Sequence, residues 1–552
     1  MKVNKVTHYQ RSKNVALVTV DSSSKNFTFK EVCSAITQDI HTAMRDGSVH
    51  TVVVKYTGIL SLSGMDDTVP VEYWQDQLTI MRLQNVIEVS RKPIIFALCN
   101  STHGYGLEIA LSAHFRICVP SVSFVVPQVK QGLIPGAGTT QRLPRLVSVD
   151  NVLEIIAGAK PVSANEALEM GLMDAVVDEG QILEYAYNSI QTFQADNKLL
   201  KRTRDQTVVF PYSGSIDASI AHFRNQKSYR LRGFLAQEYA IKVVTEAYKL
   251  TFDEGLKLEG MLLSELLDGC QYRALSHVFE AQRHAVKTKD IEDRSVIHEI
   301  KKVGVVGAGT MGIGIVQNFL NAGFPVTLID TNKNSIDLGL DNIKKSYQSS
   351  VKKNRITPET FHRNMGLLEA RLNIQDLSDC DLIVEAVFED MDVKKDIFRS
   401  LDKIAHPKAI LASNTSYLDL NEIADATSRP EQVVGIHFFS PANIMRLVEI
   451  VRGEKTSNSV IKSVHIIAKK IDKIGVMVGV CYGFVGNRML AQRQREAEKL
   501  ILEGAMPWDV DRVLCTFGFP MGPFAMRDLA GLDVGWDREK NTSATIRDVL
   551  NQ

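Results

Sequence analysis

Residues 303–312 read Val303-Gly-Val-Val306-Gly307-Ala-Gly309-Thr-Met311-Gly312. A short apolar run of strand character passes directly into a glycine loop, and helix-favouring sequence follows. A lone GxGxxG is a weak signal, but strand, loop and helix in this order are what its physics requires. The first glycine makes the tight turn. The second lets backbone approach a pyrophosphate, and the third lets helix pack on strand. The start of the helix adds N–H donors and the positive end of a dipole. A second strand, Pro325-Val-Thr-Leu-Ile329, closes on Asp330. A carboxylate there accepts hydrogen bonds from ribose hydroxyls and repels a 2′-phosphate, so NAD is expected over NADP. Gly307, Gly309, Met311, Gly312 and Asp330 are therefore the predicted cofactor-binding residues.

Outward from this motif, Leu382-Ile-Val384, Ala409-Ile-Leu411 and residues 433–436 are further short strands, and sequence beyond about residue 480 reads helical. Toward the N-terminus, 15–20, 52–56 and Pro93-Ile-Ile-Phe-Ala-Leu98 are strand-like, with an amphipathic helix over 29–43. A glycine-bearing turn leads to helical Leu107-Glu-Ile-Ala-Leu111, and helical 165–170 stops at Gly171. This alternation predicts an α/β fold. After about residue 185 the strand signals fade. Leu262, Leu263, Leu266 and Leu267 then share one helix face, and the reading preferred for this region is a surface helical connector. The expected division is 1–190 α/β, 191–295 helical linker, 296–480 dinucleotide-binding and 481–552 helical.

The 552 residues carry Lys+Arg 64 against Asp+Glu 64, so charge gives no reason to expect nucleic acid or an anionic membrane as partner. Hydrophobic residues at 45% and charged residues at 23% are ordinary globular usage. No run approaches the roughly 18 apolar residues of a membrane span. The nearest, 474–486, is short and interrupted by Gly and Tyr. Seven scattered cysteines without CxxC or zinc spacing predict reduced thiols, an intracellular chain and no metal. Lys2, Lys5, Arg11 and Lys13 open the chain without an acid, as a transit peptide does. They are read instead as flanking a first strand at 15–20.

Ser413-Asn-Thr-Ser416, His437-Phe-Phe-Ser-Pro441, Leu447-Val-Glu449, Gly483-Phe-Val-Gly-Asn487-Arg488 and Phe519-Pro-Met-Gly-Pro-Phe524 follow the glycine loop in order. With it they resemble L-3-hydroxyacyl-CoA dehydrogenases over 301 to about 535. Such chemistry needs a base for the hydroxyl proton, and histidine titrates nearest neutral pH. The resemblance implies His437 as that base, Glu449 as its partner, and Ser416 and Asn487 on the substrate oxygen. It also places Glu389 and Lys394 at the cofactor cleft.

Lys92-Pro-Ile-Ile, Gly104-Tyr-Gly-Leu-Glu108, Gly132-Leu-Ile-Pro-Gly-Ala-Gly138-Thr-Thr-Gln-Arg142 and Ala167-Leu-Glu-Met-Gly171 make residues 92–178 similar to enoyl-CoA hydratases of the crotonase superfamily. The resemblance implies an oxyanion hole of backbone N–H groups at Met65 and Tyr105, which would stabilise the thioester oxygen. It implies Glu108 as the first catalytic glutamate. The second is expected in a Pro-Glu pair, but that pair here is Pro127-Gln128. An amide keeps size and hydrogen bonding without exchanging a proton, so Gln128 is assigned to binding. Hydratase and isomerase chemistry is predicted to be impaired, an effect of roughly 10²–10⁴-fold.

The connector stretches Phe252-Asp-Glu-Gly-Leu256 and Ala274-Leu-Ser-His-Val-Phe279 extend the likeness. Nearly the whole chain resembles the peroxisomal bifunctional enzymes of fatty-acid β-oxidation. That implies acyl-CoA thioesters as substrates, hydrated and then oxidised with NAD. The alternative is a non-catalytic acyl-CoA-binding or scaffold protein. The resemblance suggests the peroxisome, but Val549-Leu-Asn-Gln552 is not a Ser-Lys-Leu address, so cytoplasm is the alternative. It also implies a further helical domain, beyond Gln552, packed on 481–552. Apolar surface left there predicts self-association, as a homodimer.

Overall fold

Thr28 and Glu31 open the first long helix with a reciprocal capping box. Val32, Cys33, Ile36, Ile40 and Ala43 then recur on one face and are buried, so Phe29–Arg45 is held by its apolar stripe. The structure, a computed structural model, describes residues 6–20, 27–57, 70–195, 200–210, 214–231, 233–285, 297–353 and 355–530. The chain divides into two compact units, Met1–Glu280 and Ala281–Gln552.

In the first unit a six-stranded sheet runs in the order Thr7–Ser12, Val15–Val20, Thr51–Tyr56, Ile94–Leu98, Phe115–Cys118, Ala175–Val176. All neighbours are parallel except the first pair. The expectation that 15–20 is the first strand needs correction: Thr7–Ser12 precedes it on the sheet edge. Its polar sequence hides it, as suits an exposed edge. The connector expectation also changes. Helices Leu235–Glu246 and Phe252–Asp268 bury Ala240, Ile241, Val244, Leu262, Leu263, Leu266 and Leu267 in the same core as Ile36 and Ile40. These helices complete the first unit instead of lying on its surface.

The second unit holds an eight-stranded sheet, ordered Leu368–Arg371, Val326–Ile329, Val303–Val306, Leu382–Glu385, Ile410–Ser413, Val433–Phe438, Leu447–Arg452, Ile474–Gly479. Only the pairing of Val433–Phe438 with Leu447–Arg452 is antiparallel. The central strands are buried throughout, as expected where helices cover both faces. Chain order reverses at Val303–Val306, which is the switch point where such sheets bind ligands. Helices Gly486–Leu502, Pro507–Phe517 and Pro523–Ala530 follow the sheet. No described helix is long and apolar enough to cross a membrane.

Candidate active site

The glycine loop joins Val303–Val306 to helix Thr310–Asn321, with Gly309 as the N-cap. Gly307 has φ +108°, and a side chain there would meet Ala386 O at 2.5 Å. A Cβ on Gly312 would sit 1.8 Å from Gly307 O, so only glycine lets the helix close on the loop. At Gly309 a Cβ would meet nothing within 4 Å, which is the open space a pyrophosphate needs. The cleft of about 1010 Å³ beside the loop is lined by Gly307, Gly309, Asp330, Ala386, Val387 and Phe388, among others. Asp330 accepts Ala308 N and Asn332 N, each at 2.9 Å, and each oxygen keeps a second lone pair for a ribose hydroxyl. These residues fit a dinucleotide. Met311 is half-buried and packs against the unit's core, so its side chain belongs to the helix–sheet contact.

His437 and Glu449 face each other across the antiparallel strand pair. Nδ1 of His437 lies 2.8 Å from Glu449 Oε2, and both side chains are buried. An ionised carboxylate only accepts, so Nδ1 carries the proton and Nε2 keeps its lone pair. Glu449 Oε1 accepts Val485 N at 3.0 Å and Gly486 N at 2.8 Å. Burial alone would raise the Glu449 carboxyl, but the His437 and amide hydrogen bonds outweigh it and hold it below the ordinary carboxylate range. The Phe439 and Phe484 rings flank the imidazole at 4.7 and 5.6 Å between centroids. One carboxylate thus ties the histidine strand to the first turn of the Gly486–Leu502 helix, where Asn487 sits. Asn487 lines a recess of about 770 Å³ with Tyr417 and Tyr482, whose rings pack at 5.0 Å. Ser416 is the neighbour of Tyr417 in the loop after Ile410–Ser413.

Glu389 anchors that loop. Its Oε1 accepts Thr415 Oγ1 and Ser416 N at 2.7 Å and Tyr417 N at 3.0 Å. Lys394 is 1% exposed; its Nζ lies 2.5 Å from Glu385 Oε1 and 3.4 Å from Glu389 Oε2. This ammonium faces carboxylates behind the cleft wall.

In the first unit Glu108 lies on helix Tyr105–Ala110 and is 0% exposed. Gln128 Nε2 donates to Glu108 Oε1 at 2.7 Å, so the two positions do meet. Burial pushes the Glu108 carboxyl well above its ordinary value, and the charge of Glu259 adds to this, against hydrogen bonds from Gln77 and Gln128. Tyr105 opens the helix, where amides have no intrahelical acceptor. Its ring turns into the core against Phe29 at 5.1 Å. Met65 lies outside the described residues. Sequence reasoning passed over Glu259. It is fully buried on helix Phe252–Asp268 and accepts Gly138 N at 2.7 Å, Thr140 N at 3.1 Å and Thr140 Oγ1 at 2.5 Å. Burial raises its carboxyl to about 7 despite these bonds. The available signal was its place one turn before Leu262 and Leu263 on the buried helix face.

Family models match both units of the chain. Residues 302–481 match the family described as 3-hydroxyacyl-CoA dehydrogenase, NAD binding domain, and 483–551 match that dehydrogenase's C-terminal domain. Residues 10–226 match enoyl-CoA hydratase/isomerase. The chain is 36% identical over 547 residues to the peroxisomal bifunctional enzyme of Danio rerio, covering 97% of this chain and 74% of that one. It is 37% identical over 479 residues to the Homo sapiens protein of the same name, covering 85% and 65%. A crystal structure of the dehydrogenase part of multifunctional enzyme 1 from C. elegans is 31% identical, covering 49% of this chain and 63% of that one, with a TM-score of 0.39. Fold, site and family matches define a two-unit protein class, a hydratase-type unit followed by an NAD-binding 3-hydroxyacyl-CoA dehydrogenase. The chain belongs to the peroxisomal bifunctional enzyme family. It spans about three quarters of the zebrafish relative and 65% of the human one.

Proposed function

We propose that this protein oxidises L-3-hydroxyacyl-CoA to 3-oxoacyl-CoA with NAD, with His437 as the base. The observation that carries this reading is the buried His437–Glu449 pair, whose geometry leaves Nε2 free to take the hydroxyl proton. NAD, when bound, accepts the hydride. Glu449 holds the ring and stabilises the imidazolium formed when His437 is protonated. Ser416 and Asn487 hold the substrate oxygen, one on the loop fixed by Glu389 and the other on the helix fixed by Glu449. Gly307, Gly309 and Gly312 shape the pyrophosphate cradle, and Asp330 takes the ribose. A scaffold has no use for a desolvated carboxylate–imidazole pair, so the enzyme reading is preferred.

The hydratase-type unit binds enoyl-CoA but adds water slowly, because Gln128 gives Glu108 an amide partner where a second acid or base is needed. Met65 and Tyr105 are proposed for its oxyanion hole. The working division is 1–190 with the helices of 191–295, then 296–480, then 481–552. The relatives' names support a peroxisomal location. Exposed Val513 and Phe517, four residues apart on one helix face, support self-association of the C-terminal region. The activity is tested by NADH absorbance with L-3-hydroxybutyryl-CoA and NAD, alongside His437→Ala.

A further inference from the structure

Asp330 follows the strand Val326–Ile329 and marks the adenosine side of the cleft. The glycine loop at the end of Val303–Val306 takes the pyrophosphate. The nicotinamide half therefore extends to the opposite side of that central strand, toward Leu382–Glu385 and Ile410–Ser413. Ala386, Val387 and Phe388 wall the cleft there. Directly before and after these three residues stand Glu385 and Glu389, and Lys394 joins them from helix Met391–Ile404.

The cluster is fully built. Glu385 accepts Val387 N at 2.8 Å and Ser413 Oγ at 2.6 Å besides the ammonium. Glu389 accepts Thr415, Ser416 and Tyr417. Side-chain exposure is 0% for Glu385, 1% for Lys394 and 16% for Glu389, so solvent screens these charges little. Two carboxylates against one ammonium leave a surplus of one negative charge behind the wall. Oxidised nicotinamide carries a ring charge that the reduced ring lacks. A fixed negative charge behind that wall distinguishes the two redox forms without touching either.

We propose that the Glu385–Lys394–Glu389 cluster sets the relative affinity of this protein for NAD⁺ and NADH, its net negative charge favouring the oxidised form. Lys394 is a positioning residue in this scheme. It allows two carboxylates to share a buried site and keeps Glu389 on the Ser416 loop. The inference rests on the dehydrogenase reading above.

The experiment measures Kd for NAD⁺ and for NADH separately, by calorimetric titration of the full chain. Glu389→Gln removes the surplus charge, and NAD⁺ affinity should fall about fivefold relative to NADH. Glu389→Gln with Lys394→Met restores the original net charge, and the ratio should return to within about twofold of the parent. Glu385→Gln makes the same change of charge and takes the place of Glu389→Gln if that variant does not fold. Equal weakening of both redox forms in the single variant overturns the proposal, because a loosened loop does not discriminate between them. A double variant that keeps the single variant's ratio also overturns it. A parent protein that binds neither form removes the dehydrogenase reading and this inference together.

Discussion

Glu449→Gln isolates the charge on the catalytic pair while keeping its shape. The imidazole and carboxylate meet at 2.8 Å, and their side chains are 4% and 2% exposed. At roughly 4 Å between charge centres and an effective dielectric of about 20, opposite unit charges attract by about 4 kcal/mol. That interaction exists only once His437 has taken the substrate proton, so it lowers the barrier without tightening substrate binding. Losing most of it should reduce kcat about 10²–10³-fold, at about 1.4 kcal/mol per tenfold, with KM little changed. Glu449 also accepts two backbone amides, and glutamine has one acceptor oxygen where the carboxylate has two. A stability loss of about 1–3 kcal/mol should accompany the substitution. The assay is steady-state NADH formation at saturating NAD, with thermal melting on the same preparation to confirm a folded enzyme. A folded Glu449→Gln protein retaining more than about a third of parental kcat refutes the argument that the carboxylate stabilises the imidazolium.

Gln128→Glu supplies the second carboxyl in contact with Glu108, and crotonyl-CoA hydration should rise by at least about tenfold; an unchanged rate places the defect elsewhere. Glu259 is held near 7 in the fold against 4.5 when unfolded, so the folded state binds its proton more tightly. The parent should therefore lose stability relative to Glu259→Gln as pH rises from about 4.5 through about 7, by at most about 1.4 kcal/mol per pH unit in denaturant titrations. Parallel pH dependence in the two proteins contradicts that burial. Sedimentation at micromolar concentration should show a dimer that Val513→Glu with Phe517→Glu dissociates; a parental monomer contradicts self-association through these helices.

The parts of the site written in local sequence were legible before the fold. The glycine loop is one, because each glycine answers a backbone constraint within a few residues. The pairing of His437 with Glu449 is different in kind. It depends on the register of two antiparallel strands, and the charged Glu449 and Arg452 break the apolar pattern that would reveal Leu447–Arg452 as a strand. Lys394 and Glu259 illustrate a second limit. Charged residues are read as solvated, yet Lys394 precedes Phe398 and Leu401 on one helix face, and all three are buried. In the structure both charges lie on the core-facing stripes of their helices, a spacing that the sequence contains. What the spacing lacks is the partner: Glu385 and Glu389 reach Lys394 from the preceding strand and loop, and Gly138 and Thr140 reach Glu259 from far along the chain. The same limit explains the connector: Leu262 and Leu266 announce a buried face without saying which core receives it.

The most direct test follows absorbance of NADH in one cuvette. The purified chain, NAD and L-3-hydroxybutyryl-CoA are mixed, and the reaction is repeated with His437→Ala. This account expects NADH from the parent and a loss of about 10²-fold or more in the variant, with NAD binding retained. No NADH from the parent with any L-3-hydroxyacyl-CoA contradicts the dehydrogenase assignment, and undiminished NADH from His437→Ala contradicts the choice of base.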